Sequence, residues 1–274
     1  MPETQNILLV GCGKMGGAML RGWLSRGVAT ENVVVIEPFE DAAVALRDEL
    51  SVTVLDDVTA ISPAFAPDIV VFAVKPQAMD DIVPFYAGFA AKGAVSLSIA
   101  AGRTISYFEG HLGKGAAIVR TMPNTPAAVG RGITAACANS PFSSVQRVAC
   151  ENLLEAVGDV VWVESEDMID AVTAVSGSGP AYVFWLIECM AKAGEAQGLP
   201  ADIAARLARA TVAGSGELAR QSDEAAGVLR KNVTSPGGTT AAALDVLMAG
   251  EDGLEQLMGR AIDAATRRSR ELAG

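Results

Sequence analysis

The chain reads as an α/β protein, with a Rossmann-type doubly wound sheet followed by an all-helical C-terminal dimerisation domain. Three observations point there. Short apolar runs of strand length alternate with helical spacing up to about residue 165, and a glycine-rich turn follows the first run. From Glu166 onward no strand pattern is apparent, and Ala, Leu and Met recur at helical spacing. The expected domains are therefore 1–165 and 166–274.

Asn6-Ile-Leu-Leu-Val10 is a continuous apolar run, followed by Gly11-Cys12-Gly13-Lys14-Met15-Gly16-Gly17 and then by helical spacing through Met19, Leu20, Trp23 and Leu24. Strand, GxGxxG, helix is the context a dinucleotide fingerprint requires, and it outweighs the simpler reading of a tight turn. Gly11 permits the turn, Gly13 the approach of a pyrophosphate, and Gly16 the packing of helix on strand. Val33–Ile36 is the second strand and ends at Glu37. An acid there accepts hydrogen bonds from ribose hydroxyls and repels a 2′-phosphate; otherwise Glu37 simply ends a strand. Arg47 is the first cation downstream, so between NADPH and NADH this turn favours NADH.

Val52–Leu55 is a short third strand, and Asp68–Val74 is apolar nearly throughout, as a strand buried on both faces should be. Its end, Ala73-Val74-Lys75-Pro76-Gln77, is placed against the cofactor, because ligands of open parallel sheets bind beyond the carboxyl ends of strands. Lys75 is either a ribose or phosphate contact or a solvated strand-end lysine. Ala94–Ile99 and Ala117–Arg120 are further strands; the second leads into Thr121-Met-Pro-Asn124-Thr-Pro126, which reads as a stiff, extended loop. Ile133–Ala138 and Val160–Val163 complete the sheet, separated by a helix around residues 145–157.

In the second half Ile169–Val175 reads as a short helix interrupted at Ser176-Gly-Ser-Gly-Pro-Ala-Tyr182. Ala181–Gln197 is apolar on most of its circumference, which implies burial on nearly all sides and, in so small a domain, a dimer with interlocked helices. Helices are expected over 201–221, 224–231, 239–248 and 253–272, the last ending in a solvated Arg267-Arg268-Ser-Arg270 run. The segment Asn232-Val-Thr-Ser235-Pro-Gly-Gly238-Thr239-Thr240 turns on two glycines into an Ala-rich helix, presenting backbone N–H groups and hydroxyls. It is either a carboxylate clasp or an ordinary interhelical loop with an N-cap.

Composition narrows the function. A net charge of −11 with no basic tract argues against nucleic acid as a partner. Cys12, Cys137, Cys150 and Cys189 show no CxxC spacing and read as reduced, buried thiols, while His111 is the only histidine, so a metal site is not expected. The polar start, Met1-Pro-Glu-Thr-Gln-Asn6, is unlike a signal peptide, and no apolar run suits a membrane span, which makes a cytoplasmic location the expectation.

The Asn232–Thr240 segment with Ala243-Leu and Leu247, together with the motifs at 11–17, 73–77, 120–126 and 176–182, resembles pyrroline-5-carboxylate reductases in the same order and over essentially the whole chain. These enzymes catalyse the last step of proline synthesis. The resemblance implies a small anionic cyclic imine as substrate, NADPH or NADH as cofactor, and a homo-oligomer of at least a dimer built through the C-terminal helices. It places the carboxylate against Ser235, Gly238 and Thr239, with the Thr240 hydroxyl on the ring nitrogen, so that Thr240 and Ser235 carry the chemistry. Val172, Ser176 and Gly177 would line the opposite wall, Lys75 would lie near the nicotinamide ribose, and Asn124 would join the cofactor contacts. Family members often carry Asn, Ser or Arg where Glu37 stands, a departure that bears on cofactor choice.

The absence of an evident acid–base pair fits this chemistry. A protonated cyclic imine accepts hydride with little further help, so positioning supplies most of the catalysis. A β-hydroxyacid-type dehydrogenase on the same scaffold would show a lysine near residue 170, and Ile169–Val175 has none. Another imine reductase is also compatible, and a non-enzymatic NAD sensor would need no clasp.

Overall fold

A computed structural model describes residues 5–273; Met1–Thr4, part of the polar start considered above, lie outside the described residues, as does Gly274. Contacts divide the chain into two compact units, one running to Gly177 and rejoined by residues from Ala265, the other comprising Ser178–Ala264. The expected boundary at 165 thus falls inside the first unit.

In the first unit eight strands form one sheet: β1 (Ile7–Val10), β2 (Val33–Ile36), β3 (Thr53–Leu55), β4 (Ile69–Phe72), β5 (Val95–Ser98), β6 (Ile118–Met122), β7 (Gly132–Ala138) and β8 (Gly158–Trp162). Their order is β3-β2-β1-β4-β5-β6-β7-β8. Neighbours are parallel except β6 and β7, which pair antiparallel, with Arg120 opposite Cys137 and Thr121 opposite Ala136. The doubly wound sheet is as expected, with its last two strands reversed in direction.

Helices cover both faces: α1 (Lys14–Ser25), α2 (Glu40–Leu50), α3 (Met79–Ile82), α4 (Ala87–Ala91), α5 (Ile105–Leu112), α6 (Ser144–Leu154) and α7 (Met168–Val172). Alternation along the strands separates two cores. Ile7, Leu9, Val33 and Val71 pack with Trp23 of α1 and Leu153 of α6, whereas Leu8, Val10, Val70 and Phe72 pack with Met79, Tyr86 and Phe108. Phe72 meets the Tyr86 ring edge-on at 5.3 Å between centroids. Strands at the centre must be apolar on both sides to fill two such cores.

Two local expectations are corrected. Residues 121–126 are not one extended loop: β6 runs to Met122, and Thr125–Val129 wind into a 3₁₀ turn. Nor does the helix at 169–175 stop at Ser176. Beyond α7 it widens into a π-helical turn, Thr173–Gly177, in which the Thr173 hydroxyl donates to the Ile169 carbonyl and the Ser176 hydroxyl to that of Val172. Pro180 then stands in the first turn of the following helix, where its missing N–H is tolerated.

The second unit is helical: α8 (Gly179–Ala196), α9 (Ala201–Gln221), α10 (Ala226–Asn232), α11 (Thr239–Leu247) and the start of α12 (Leu254–Ala273). Helices α8 and α9 pack closely at small residues; a Cβ on Gly194 would stand 3.4 Å from that of Ala204. The expected burial of α8 on nearly all sides does not hold within one chain, where Phe184 is 61% and Trp185 56% exposed. Cys189 on the same helix is also exposed and Cys12 is half-buried, so only Cys137 and Cys150 are the buried thiols expected. Among the described residues no helix is long and apolar enough to cross a membrane, and no cluster of His, Cys, Asp and Glu could hold a metal ion.

Candidate functional site

Backbone hydrogen bonds at the carboxyl ends of the strands assemble the first half of the site. The Gly11 N–H donates to the Ile36 carbonyl at 2.9 Å, Glu37 N–H to that of Leu55 at 2.9 Å, and Ala73 N–H to that of Val10 at 2.8 Å. Strand β1 lies between β2 and β4, the point at which the winding reverses and where such sheets bind ligands. A cleft of about 680 Å³ opens there, lined by Gly11, Cys12, Gly13, Glu37, Ala73, Val74 and Lys75.

The glycines of the loop serve different ends. Gly11 has φ +84°, and a Cβ on it would stand 2.6 Å from Val74 Cγ1. On Gly16 a Cβ would meet the Gly11 carbonyl oxygen at 2.7 Å, so that position fixes the seating of α1 on the loop. Beside Gly13 a Cβ would meet nothing within 4 Å, and Gly13 provides no side-chain cap for α1. Open space at an uncapped helix N-terminus is where a pyrophosphate fits, with backbone N–H groups and the helix dipole facing it. The residues present therefore suit a dinucleotide.

Glu37 is 7% exposed. Its Oε2 accepts the Cys12 N–H at 3.1 Å and its Oε1 the Phe39 N–H at 3.3 Å, holding the carboxylate at the mouth of the glycine loop. Burial and the Glu37 charge push the Cys12 thiol up to about 11, so it stays protonated and serves as packing. The cleft also includes Asp56, Asp57 and Asp81, against the single cation Lys75. The Asp residues that follow β3, and the exposed rings of Phe39 and Phe85, were not singled out from sequence. For Asp56, Asp57 and Phe39 the only signal is position, just past the ends of β3 and β2; Phe85 lies farther on, in the 3₁₀ turn Val83–Tyr86.

Lys75 is exposed at the end of the segment that follows β4. The Arg103 guanidinium fixes its turn by donating twice to the Pro76 carbonyl, at 3.1 and 2.7 Å, and by pairing with Asp80. Of the sequence-predicted cofactor residues, Lys14, Met15, Gly16, Pro76 and Asn124 do not line this cleft. Lys14, Met15 and Gly16 form the first turn of α1, directly after Gly13, which does line it.

Asn124 is held at both ends of its side-chain amide. It is 9% exposed, its Oδ1 accepts the Ile133 N–H at 2.9 Å, and its Nδ2 donates to the Ser176 carbonyl at 3.2 Å. The wall predicted from Val172, Ser176 and Gly177 thus hangs from the exit of β6. Val172 packs half-buried against the core that holds Met122 and Ile169. A second tie lies nearby: Arg120, 3% exposed, pairs with Glu166 Oε1 at 2.7 Å, and the same oxygen accepts the Ile105 N–H. Neither tie was legible in sequence.

The second unit carries the other predicted residues. Gly238 caps α11 without a side-chain hydrogen bond, and its N–H donates to the Ser235 carbonyl at 3.0 Å. A Cβ on Gly238 would stand 2.6 Å from Ser235 Oγ, so glycine lets the hydroxyl lie against the helix start. Ser235 and Thr239 are exposed and Thr240 half-buried. Hydroxyls and the first N–H groups of α11 are gathered at one helix N-terminus, an arrangement that suits a carboxylate.

Residues 166–272 match the family model described as pyrroline-5-carboxylate reductase dimerisation, and residues 6–102 match one described as NADP oxidoreductase, coenzyme F420-dependent. A pyrroline-5-carboxylate reductase of Pseudomonas aeruginosa is 38% identical over 99% of this chain and 98% of its own. The solved pyrroline-5-carboxylate reductase of Coxiella burnetii superposes with a TM-score of 0.93 at 35% identity, covering 99% of each chain. That of Plasmodium falciparum, solved with NADP bound, gives 0.81 at 28% identity over 99% of each.

Proposed function

The chain belongs to the pyrroline-5-carboxylate reductase family, and we propose that it reduces 1-pyrroline-5-carboxylate to proline with NADH in preference to NADPH. The relationship along 99% of the chain carries the activity. When bound, the cofactor would supply a hydride to the carbon of the N-protonated C=N bond, leaving the ring nitrogen as the secondary amine of proline. What the chain contributes is grip and orientation. The glycine loop and the uncapped start of α1 hold the pyrophosphate, and Lys75 sits at the nicotinamide ribose. Ser235, Gly238 and Thr239 hold the substrate carboxylate, Thr240 bonds the ring nitrogen, and Val172, Ser176 and Gly177 border the ring. No acid–base pair is needed, because the carbon of an N-protonated imine is already electrophilic.

Glu37 carries the cofactor choice. Its carboxylate is already oriented by two backbone N–H groups, and the cleft holds three further acids against one lysine. A ribose with free hydroxyls can donate to Glu37, whereas a 2′-phosphate would lie beside it unpaired. The second unit is proposed to join another copy of the chain through the exposed apolar face of α8.

The test is oxidation of NADH and of NADPH, measured separately with pyrroline-5-carboxylate. The reading expects kcat/KM at least roughly tenfold higher for NADH, a difference of about 1.4 kcal/mol. It also expects Glu37→Gln to narrow the gap. NADPH favoured in the unmodified enzyme would remove Glu37 as the discriminator while leaving the activity in place, and turnover with neither would reject the reductase reading.

A further inference from the structure

We propose that Asn124 is a positioning residue for the substrate wall and not a cofactor ligand: its side-chain amide supplies the donor that the π turn needs at Ser176. This rests on the reading that Ser176 and Gly177 border the imine ring.

The Ser176 carbonyl lies in the last turn before a proline. In an α-helix its donor would be the N–H four residues on, and that residue is Pro180, which has none. The next candidate, the Ala181 N–H, donates to the Ser178 carbonyl at 3.0 Å. A half-buried carbonyl left without a donor is costly. Asn124 Nδ2 fills this position at 3.2 Å. The other end of the amide is tied at 2.9 Å to the Ile133 N–H at the start of β7, and the Asn124 carbonyl accepts the Ala127 N–H that begins the 3₁₀ turn. The side chain is therefore anchored on the sheet side before it reaches the π turn. π turns are rare and concentrate at functional sites, and this one carries Ser176 and Gly177. Its placement against Met122 is close enough that a Cβ on Gly177 would touch Met122 Sδ at 3.5 Å. Asn124 thereby couples the exit of β6 to the wall, and does so without lining the dinucleotide cleft.

Asn124→Asp separates the two bonds. It keeps an acceptor for Ile133 N–H and sets a carboxylate oxygen against the Ser176 carbonyl in place of the donor. Three readouts are taken on the full chain: amide exchange of residues 173–177, KM for pyrroline-5-carboxylate, and Kd for NADH by fluorescence titration. The expected result is faster exchange across the turn, an imine KM raised at least tenfold with kcat changed less, and an NADH Kd within twofold of the unmodified value. Weakened NADH binding with an unaltered imine KM would overturn the proposal in favour of a cofactor contact. Unchanged exchange would overturn the tie itself. Gly177→Ala, read in parallel, tests the underlying reading: if neither it nor Asn124→Asp moves the imine KM although exchange rises, the turn is not the substrate wall and the proposal falls with it. Should Asn124→Asp not fold, Asn124→Ser, too short to span to Ser176, is judged by the same three readouts.

Discussion

Trp23 and Trp185 occupy apolar faces of helices in the two units, and their surroundings differ sharply. Trp23 is fully buried, with its indole N–H on the Leu153 carbonyl at 2.9 Å. Trp185 is 56% exposed beside Phe184 at 61%, its ring faced by the Lys192 ammonium at 5.0 Å. The sheet of the first unit finds covers for both faces within one chain, whereas α8 does not. Burying a large aromatic contributes about 1.5–3 kcal/mol, so several such residues left in water imply a missing surface. The first unit should therefore keep its structure and its nucleotide grip independently of protein concentration, and the second should not.

The largest expected effect strikes the self-contained half. Gly11→Ala forces a left-handed φ on alanine and drives a Cβ into Val74 at 2.6 Å. NADH affinity should fall by at least roughly 100-fold, about 2.7 kcal/mol, as titration would reveal, while the oligomeric state by light scattering stays unchanged. Next in size is the converse experiment. Phe184→Glu with Trp185→Glu places charges on the open face of α8, and sedimentation should show a monomer that still binds NADH. An unchanged assembly would remove α8 from the interface.

How far the two halves were legible in sequence follows the same division. Runs such as Ile7–Val10 and Ile69–Phe72 are apolar because both faces are covered, so pattern alone located them, and the glycine loop follows from its place after β1. The π turn is not legible because its residues have the same types as an ordinary helix end, and the donor to its Ser176 carbonyl is Asn124, 52 positions away in sequence. The burial of Arg120 against Glu166 was hidden for the same reason: a charged residue in a strand does not announce a partner 46 residues on. For α8 the pattern is apolar on most of the circumference, but no sequence pattern says which chain supplies the cover.

A smaller effect is expected of Thr240→Ala. Removing one hydroxyl at the start of α11 should lower turnover roughly 10–100-fold by withdrawing a hydrogen bond to the reacting ring. NADH affinity, a property of the first unit, should not change, and equal losses in both would deny the separation of roles. The smallest effect concerns stability. Burial raises the Cys150 thiol from 9.0 to about 12. Above pH 9 the unfolded chain ionises there while the folded chain keeps its proton, so stability declines as pH rises, by about 1.4 kcal/mol per pH unit. Denaturant melts between pH 8 and 10.5 should show this decline, and Cys150→Ala should flatten it by about 2 kcal/mol at the upper end. An identical slope in the variant would locate the pH dependence elsewhere.

The most direct test of the difference between the two regions is hydrogen exchange followed by mass spectrometry at a series of protein concentrations. On dilution, peptides from Gly179–Ala196 should lose protection while those spanning β1 and β4 keep theirs. Protection of α8 that does not depend on concentration would mean the helix is stable as it stands in one chain, and would contradict the account.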